Sequence, residues 1–186
     1  MHGGFSRIDI TPSDSVPMAG YLARTKPSEG VHDSLYVRAL FLTDGEERVL
    51  LLSADLLLLD ASLARELRER ISSETDVPAS HILIACSHTH SGPLVARRRV
   101  GEPDLSYVDA LRRKFVRAAV EATRAPQPLR IGAGSAKLYL GVNRRQVSDE
   151  GRVVLGRNPS AYADPFARIL VVAKENGSPV AVLFSY

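Results

Sequence analysis

The sequence predicts an α/β (α+β layered) domain, a mixed β-sheet flanked by helices, and three observations carry that expectation. Two apolar runs, Val49–Leu52 and Ile82–Cys86, are short and bounded like buried strands. Two segments, 61–73 and 106–123, carry apolar residues at helical spacing. Hairpin turns then interrupt what would otherwise be a strict strand–helix–strand alternation.

In order, residues 5–10 read as a short strand ending at Thr11-Pro12. Residues 12–34 hold Pro17, Gly20, Pro27 and Gly30 with little periodicity, which predicts a long loop. Tyr36–Leu42 and Arg48–Ala54 form strands around a Thr43-Asp44-Gly45 turn. The second is apolar on both faces and reads as a central strand covered on both sides. Leu63, Leu67 and Ile71 make one stripe of a helix, with Asp60 as its N-cap.

Ile82–Cys86 reads as a second buried strand, running straight into His88-Thr89-His90. Val108, Leu111, Phe115, Ala119 and Ala122 share a helix face, and Ser106 with Asp109 resembles a capping box. Pro126 and Pro128 end that helix. Strands follow over 129–140, 166–173 and 179–185, the last two joined by the Glu175-Asn176-Gly177-Ser178 turn. The final strand runs to Tyr186, and a domain stopping on a core strand reads as truncated. Residues 1–186 are thus expected to be one part of a larger domain.

Composition narrows the function classes. Of 186 residues, 45% are apolar and 24% charged, which suits a packed globular core. The net charge of +3 is small. Arg97, Arg98 and Arg99 form one basic cluster and Arg112, Arg113 and Lys114 another. No aromatic residues interleave with them, so they read as solvated faces and no nucleic-acid partner is expected. The basic loop 94–105 leaves peripheral contact with an anionic membrane as a secondary expectation. With Cys86 the only cysteine, no intrachain disulfide forms. No leader and no apolar span long enough for a bilayer stands out, which gives a cytoplasmic expectation unless a leader was removed.

The candidate chemistry centres on His88 and His90. They follow a strand at its carboxyl end, where open α/β sheets place ligands. Residues two apart in an extended segment point to the same side. Neutral imidazole is a good zinc ligand, and a catalytic zinc needs about three protein ligands and an open position. A polar turn with hydrogen-bonded histidines explains the spacing equally well. Cys86 beside His88 suggests a thiol nucleophile, but its apolar strand favours an inert buried thiol. Asp9, Asp33 and Asp55 are each candidates to orient a histidine or simply to cap a turn. His32 reads as a buried histidine beside the site, and His81 as an exposed one opening a strand.

Several segments occur in order: Asp9-Ile10-Thr11-Pro12, Pro17-Met18-Ala19-Gly20-Tyr21, Gly30-Val31-His32-Asp33, Ser53-Ala54-Asp55, His88-Thr89-His90-Ser91-Gly92-Pro93 and Gly141-Val142-Asn143-Arg144. Together they resemble the N-terminal region of the neutral/alkaline non-lysosomal ceramidases, over nearly the whole chain. The resemblance implies a Zn2+-dependent amidohydrolase acting on an N-acyl amide such as a ceramide-like lipid. It implies that His88 is a zinc ligand and that His90 faces the scissile amide. It further implies that Arg144 reaches the carbonyl or product carboxylate and that Gly20 and Tyr21 line the substrate pocket. The remaining family ligands are a second His, a Glu and a Tyr, the His expected just after a segment like Val180–Tyr186. Residues 1–186 alone are accordingly expected to bind zinc weakly and to be inactive. The competing reading is a catalytically inactive binding module of the same fold. Acyl chain, amine and oligomeric state are left open.

Overall fold

The computed structural model describes residues 1–97 and 101–186 and divides into two compact units, Met1–Leu129 and Arg130–Tyr186. Part of the basic loop, Arg98 to Val100, lies outside the described residues.

In the first unit, β1 (His2–Asp9), β2 (Tyr36–Thr43), β3 (Arg48–Ala54) and β4 (Ile82–Cys86) form a sheet in the order β4-β3-β2-β1. β1, β2 and β3 are successive antiparallel neighbours, whereas β4 runs parallel to β3 with Leu50 opposite Ile82. The sheet is therefore mixed, as predicted. The crossover between β3 and β4 is α1 (Ala61–Thr75), and α2 (Leu105–Thr123) follows β4. β5 (Gln127–Lys137) begins beside β1, where Gln127 and Pro128 pair with Gly3 and His2.

Period-two burial places Ile8, Val37, Ala39, Phe41, Leu50, Leu52 and Ala54 against one side. There they meet Leu67 and Ile71 of α1 and Leu111, Phe115 and Ala119 of α2, all nearly inaccessible. Gly4 lets β1 approach α2 closely, since a Cβ at that position would overlap the Ala122 carbonyl. The buried Ser6 hydroxyl donates to the Ala118 carbonyl at 2.7 Å, which removes the cost of placing it there.

Four expectations need correction. Both helices pack on one face, and the other face carries Phe5, Val49 and Leu83 at 41%, 37% and 59% exposure. β3 is central but is not covered on both sides by the described residues, and β4 is an edge strand of its sheet rather than a buried one. The α2 cap is Asp104, which accepts from the Tyr107 amide at 2.9 Å, while Ser106 donates to that same carboxylate. Asp carries more negative charge to the helix N-terminus than Ser, so it takes the position. β1 also starts at His2, because His2 to Asp9 pair without a break with β2.

The second unit holds the rest of β5 with β8 (Phe166–Lys174) and β9 (Pro179–Ser185), in the order β5-β8-β9. β8 and β9 form the hairpin expected from Asn176-Gly177, with Gly177 at φ +86°. A separate hairpin of β6 (Asn143–Val147) and β7 (Val153–Asn158) was not predicted, because its strands are mostly exposed and the apolar residues Val153, Val154 and Leu155 are consecutive rather than alternating. No helix among the described residues is long and apolar enough to cross a membrane.

Candidate functional site

The site is built where β3 and β4 end side by side. After Ala54, the Asp55 amide donates to the Tyr36 carbonyl and its carboxylate takes the Tyr36 amide and the Arg38 guanidinium, each at 2.9 Å. Asp55 thereby fixes the exit of β3 rather than orienting a histidine. The Ser87 amide donates to the Ala54 carbonyl, extending the β3–β4 register by one step.

His88 then leaves the strand. Its φ is +58°, a left-handed conformation uncommon for a residue with a Cβ. The expectation of an extended His-Thr-His is therefore corrected: a turn, not a strand, sets the pair. The rings still meet edge to face, with centroids 5.3 Å apart. His88 Nδ1 lies 3.0 Å from the Leu57 carbonyl oxygen. A carbonyl only accepts, so the proton sits on Nδ1 and the Nε2 lone pair is left available.

The loop carrying Gly20 is stitched onto this motif. The Ala19 amide donates to the Gly92 carbonyl at 3.0 Å, and the Leu94 amide to the Pro17 carbonyl at 2.7 Å. Gly20 has φ +112°, and a Cβ there would stand 2.7–2.8 Å from Cα, Cβ and Cγ of His90. Only glycine fits both the dihedral and the approach. The exposed Tyr21 ring meets the His90 ring edge-on at 5.0 Å. The structure thus brings together four of the predicted residues: His88, His90, Gly20 and Tyr21.

Arg24 carried no motif and sequence reasoning passed over it. Its Nη1 donates to the Ala19 carbonyl at 2.8 Å and the His90 carbonyl at 2.9 Å. Arg144 belongs to β6 of the second unit, where its Nε donates to the Gly156 carbonyl.

The other candidates separate from the site. His32 is almost fully exposed rather than buried, and its Nδ1 is 2.7 Å from the Asp33 carboxylate. The loop around it has no apolar cover to bury it. Asp9 makes a turn with Thr11, whose hydrogen bonds hold its carboxyl below the usual range. His81 is half-buried in a short 3-10 turn before β4, with Nδ1 3.1 Å from the Arg48 carbonyl. Burial pushes the Cys86 thiol up, away from the thiolate a nucleophile needs. Arg97 pairs with Glu102, and Arg112 with Glu66 and Asp109, as solvated charge clusters do.

A cleft of about 650 Å³ lies between the 11–35 loop and the motif, lined by Val16, Met18, Leu35, Thr89, Gly92 and Pro93 among others. Neither histidine of the motif borders it. Among the described residues no three His, Cys, Asp or Glu side chains stand close enough to hold a metal. His88 could fill one ligand position, since Nδ1 is anchored on the Leu57 carbonyl and Nε2 has no hydrogen bond among the described residues.

Comparison with known proteins agrees with this architecture. A solved neutral ceramidase from Pseudomonas aeruginosa superposes on 98% of the chain with a TM-score of 0.78 at 20% identity, the chain covering 31% of that protein. A solved structure described as a ceramidase complexed with C2 gives a TM-score of 0.77 at 22% identity, with 98% and 30% coverage. The chain therefore spans under a third of the length of these proteins. The family model for the N-terminal region of neutral/alkaline non-lysosomal ceramidases matches residues 2–162, and the chain belongs to that family.

Proposed function

We propose that this chain is the part of a zinc-dependent amidohydrolase that carries one metal ligand, His88, and the residue facing the scissile bond, His90. The substrate is an N-acyl amide of the ceramide type. The observation that carries the reading is the Leu57 anchor on His88, which leaves Nε2 available beside an adjacent, partly shielded His90. Both solved relatives are ceramidases, which supports the substrate class.

Zinc, when bound in such a site, lowers the pKa of a water to about 7 and polarises a carbonyl oxygen. The chain's own residues supply the rest. Gly20 lets its loop lie directly against His90, where a Cβ would overlap the histidine. Tyr21 offers an aromatic wall at the same place. His90 is assigned the proton delivered to the leaving amine nitrogen. Arg144 is assigned the negative charge that develops on the amide oxygen, because a guanidinium stays charged and donates from a planar fork.

The test is metal analysis and amide hydrolysis in the complete enzyme. We expect about one zinc per chain, lost to a chelator together with turnover. His88→Ala should abolish both. Full zinc and full turnover in that variant would reject the ligand assignment. Unaltered turnover in Arg144→Ala would reject the oxyanion assignment. Zinc-free protein that binds a ceramide-like lipid without cleaving it would favour a binding module.

A further inference from the structure

We infer that Arg24 is a positioning residue for His90. The inference rests on the reading that His90 faces the scissile amide. Four contacts carry it. The Arg24 Nη1 bridges two carbonyls on loops far apart in sequence, Ala19 at 2.8 Å and His90 at 2.9 Å. The guanidinium lies over the Tyr21 ring, 4.8 Å from its centroid. Tyr21 in turn meets the His90 ring at 5.0 Å and 74°. The chain 19–24 therefore closes a ring of contacts around His90: Gly20 behind its Cβ, Tyr21 at its edge, Arg24 on its carbonyl.

The backbone bonds of Ala19 and Leu94 hold the motif at Gly92 and beyond. They do not reach residue 90. Among the described residues, the only hydrogen bond to the His90 carbonyl comes from Arg24. Charge-assisted bonds of this kind are about twice as strong as neutral ones. Arg24 also makes no ion pair among the described residues, so no carboxylate draws the guanidinium away from this duty. Lysine could reach a carbonyl, but its ammonium lacks the flat face that stacks on Tyr21 and the fixed geometry that bridges two acceptors. Loss of the bridge frees the His90 backbone to shift, and a shift of about 1 Å at a reacting group can cost roughly a hundredfold in rate.

The test uses the complete enzyme with Arg24→Ala, Arg24→Lys and, as a reference, His90→Ala. Zinc content, kcat and KM for an N-acyl amide, and the imidazole resonances of His90 are measured for each. We expect Arg24→Ala to retain zinc, to shift the His90 resonances, and to lose roughly ten- to a hundredfold in kcat with little change in KM. Arg24→Lys should fold like the parent and recover part of the loss. Added guanidinium should restore part of the Arg24→Ala rate and none of the His90→Ala rate. Unchanged His90 resonances in both Arg24 variants would overturn the positioning role, as would a loss confined to KM. Full turnover in His90→Ala would defeat the functional reading, and the resonances of the Arg24 variants would still decide the positioning.

Discussion

His88 and Leu57 are joined by a 3.0 Å hydrogen bond that ties the turn after β4 to the segment after β3. The bond fixes the imidazole tautomer, and it holds the residue in a left-handed backbone at φ +58°. Strain and chemistry thus meet at one position.

That coincidence separates two effects of mutation at 88. An L-residue in the left-handed region costs about 1–2 kcal/mol, a penalty glycine escapes. In the metal-free complete protein, His88→Gly should therefore be more stable than His88→Ala by about 1 kcal/mol. Both should lose zinc equally. Urea unfolding with zinc analysis checks the pair, and equal stabilities would show that residue 88 carries no strain.

At Gly20 the expected outcome is the reverse. Gly20→Ala places a Cβ within 2.7–2.8 Å of His90 and forces φ +112° on an L-residue. The cost should be about 1–3 kcal/mol of stability, with turnover reduced and zinc retained. Thermal unfolding and metal content together measure it. Wild-type turnover would mean that His90 yields without consequence.

Tyr107 makes stability depend on alkaline pH. Its hydroxyl is buried in the core and donates to the Ile10 carbonyl at 2.8 Å. Burial first, and the Asp9 charge second, push its pKa well above the ordinary phenol value. In the unfolded chain the phenol ionises near pH 10, while the folded protein keeps its proton. Above that pH the folded state binds more protons than the unfolded one, so stability falls as pH rises. Tyr107→Phe should cost about 1–3 kcal/mol at neutral pH, since the Ile10 carbonyl loses its donor. The variant should also flatten the decline above pH 10, which unfolding curves at pH 8 and 11 would show.

In the second unit, Tyr186 holds the loop before Arg144. Its hydroxyl accepts from the Leu140 and Gly141 amides at 2.9 and 2.7 Å and donates to the Leu138 carbonyl at 3.1 Å. Tyr186→Phe keeps the ring and removes all three bonds. Hydrogen exchange at Leu140 and Gly141 should quicken by roughly five- to tenfold while the β8–β9 amides stay protected. Unchanged exchange at both would show that the loop is held otherwise.

Much of this could be read from the residues, and the reasons for the exceptions are physical. Leu63, Leu67 and Ile71 announced α1 because a buried stripe needs that spacing. Gly20 and the two histidines were visible as motif positions. Leu57 was not, since it acts through a backbone carbonyl that any residue would provide. Arg24 was hidden because its partners, Ala19 and His90, are also carbonyls and lie on two loops. The exposed β6–β7 hairpin left no alternating apolar pattern. Asp104 displaced Ser106 as the cap because both are good caps and the carboxylate adds favourable charge at the helix N-terminus.

The left-handed turn at His88 also bears on how such a site could be lost. A lineage released from holding metal would not drift freely at this position. The backbone there favours Gly, Asn, Asp or His over branched or bulky residues. Loss of the proposed ligand would thus leave a legible scar: a Thr-His-Ser-Gly-Pro segment preceded by Gly, Asn or Asp.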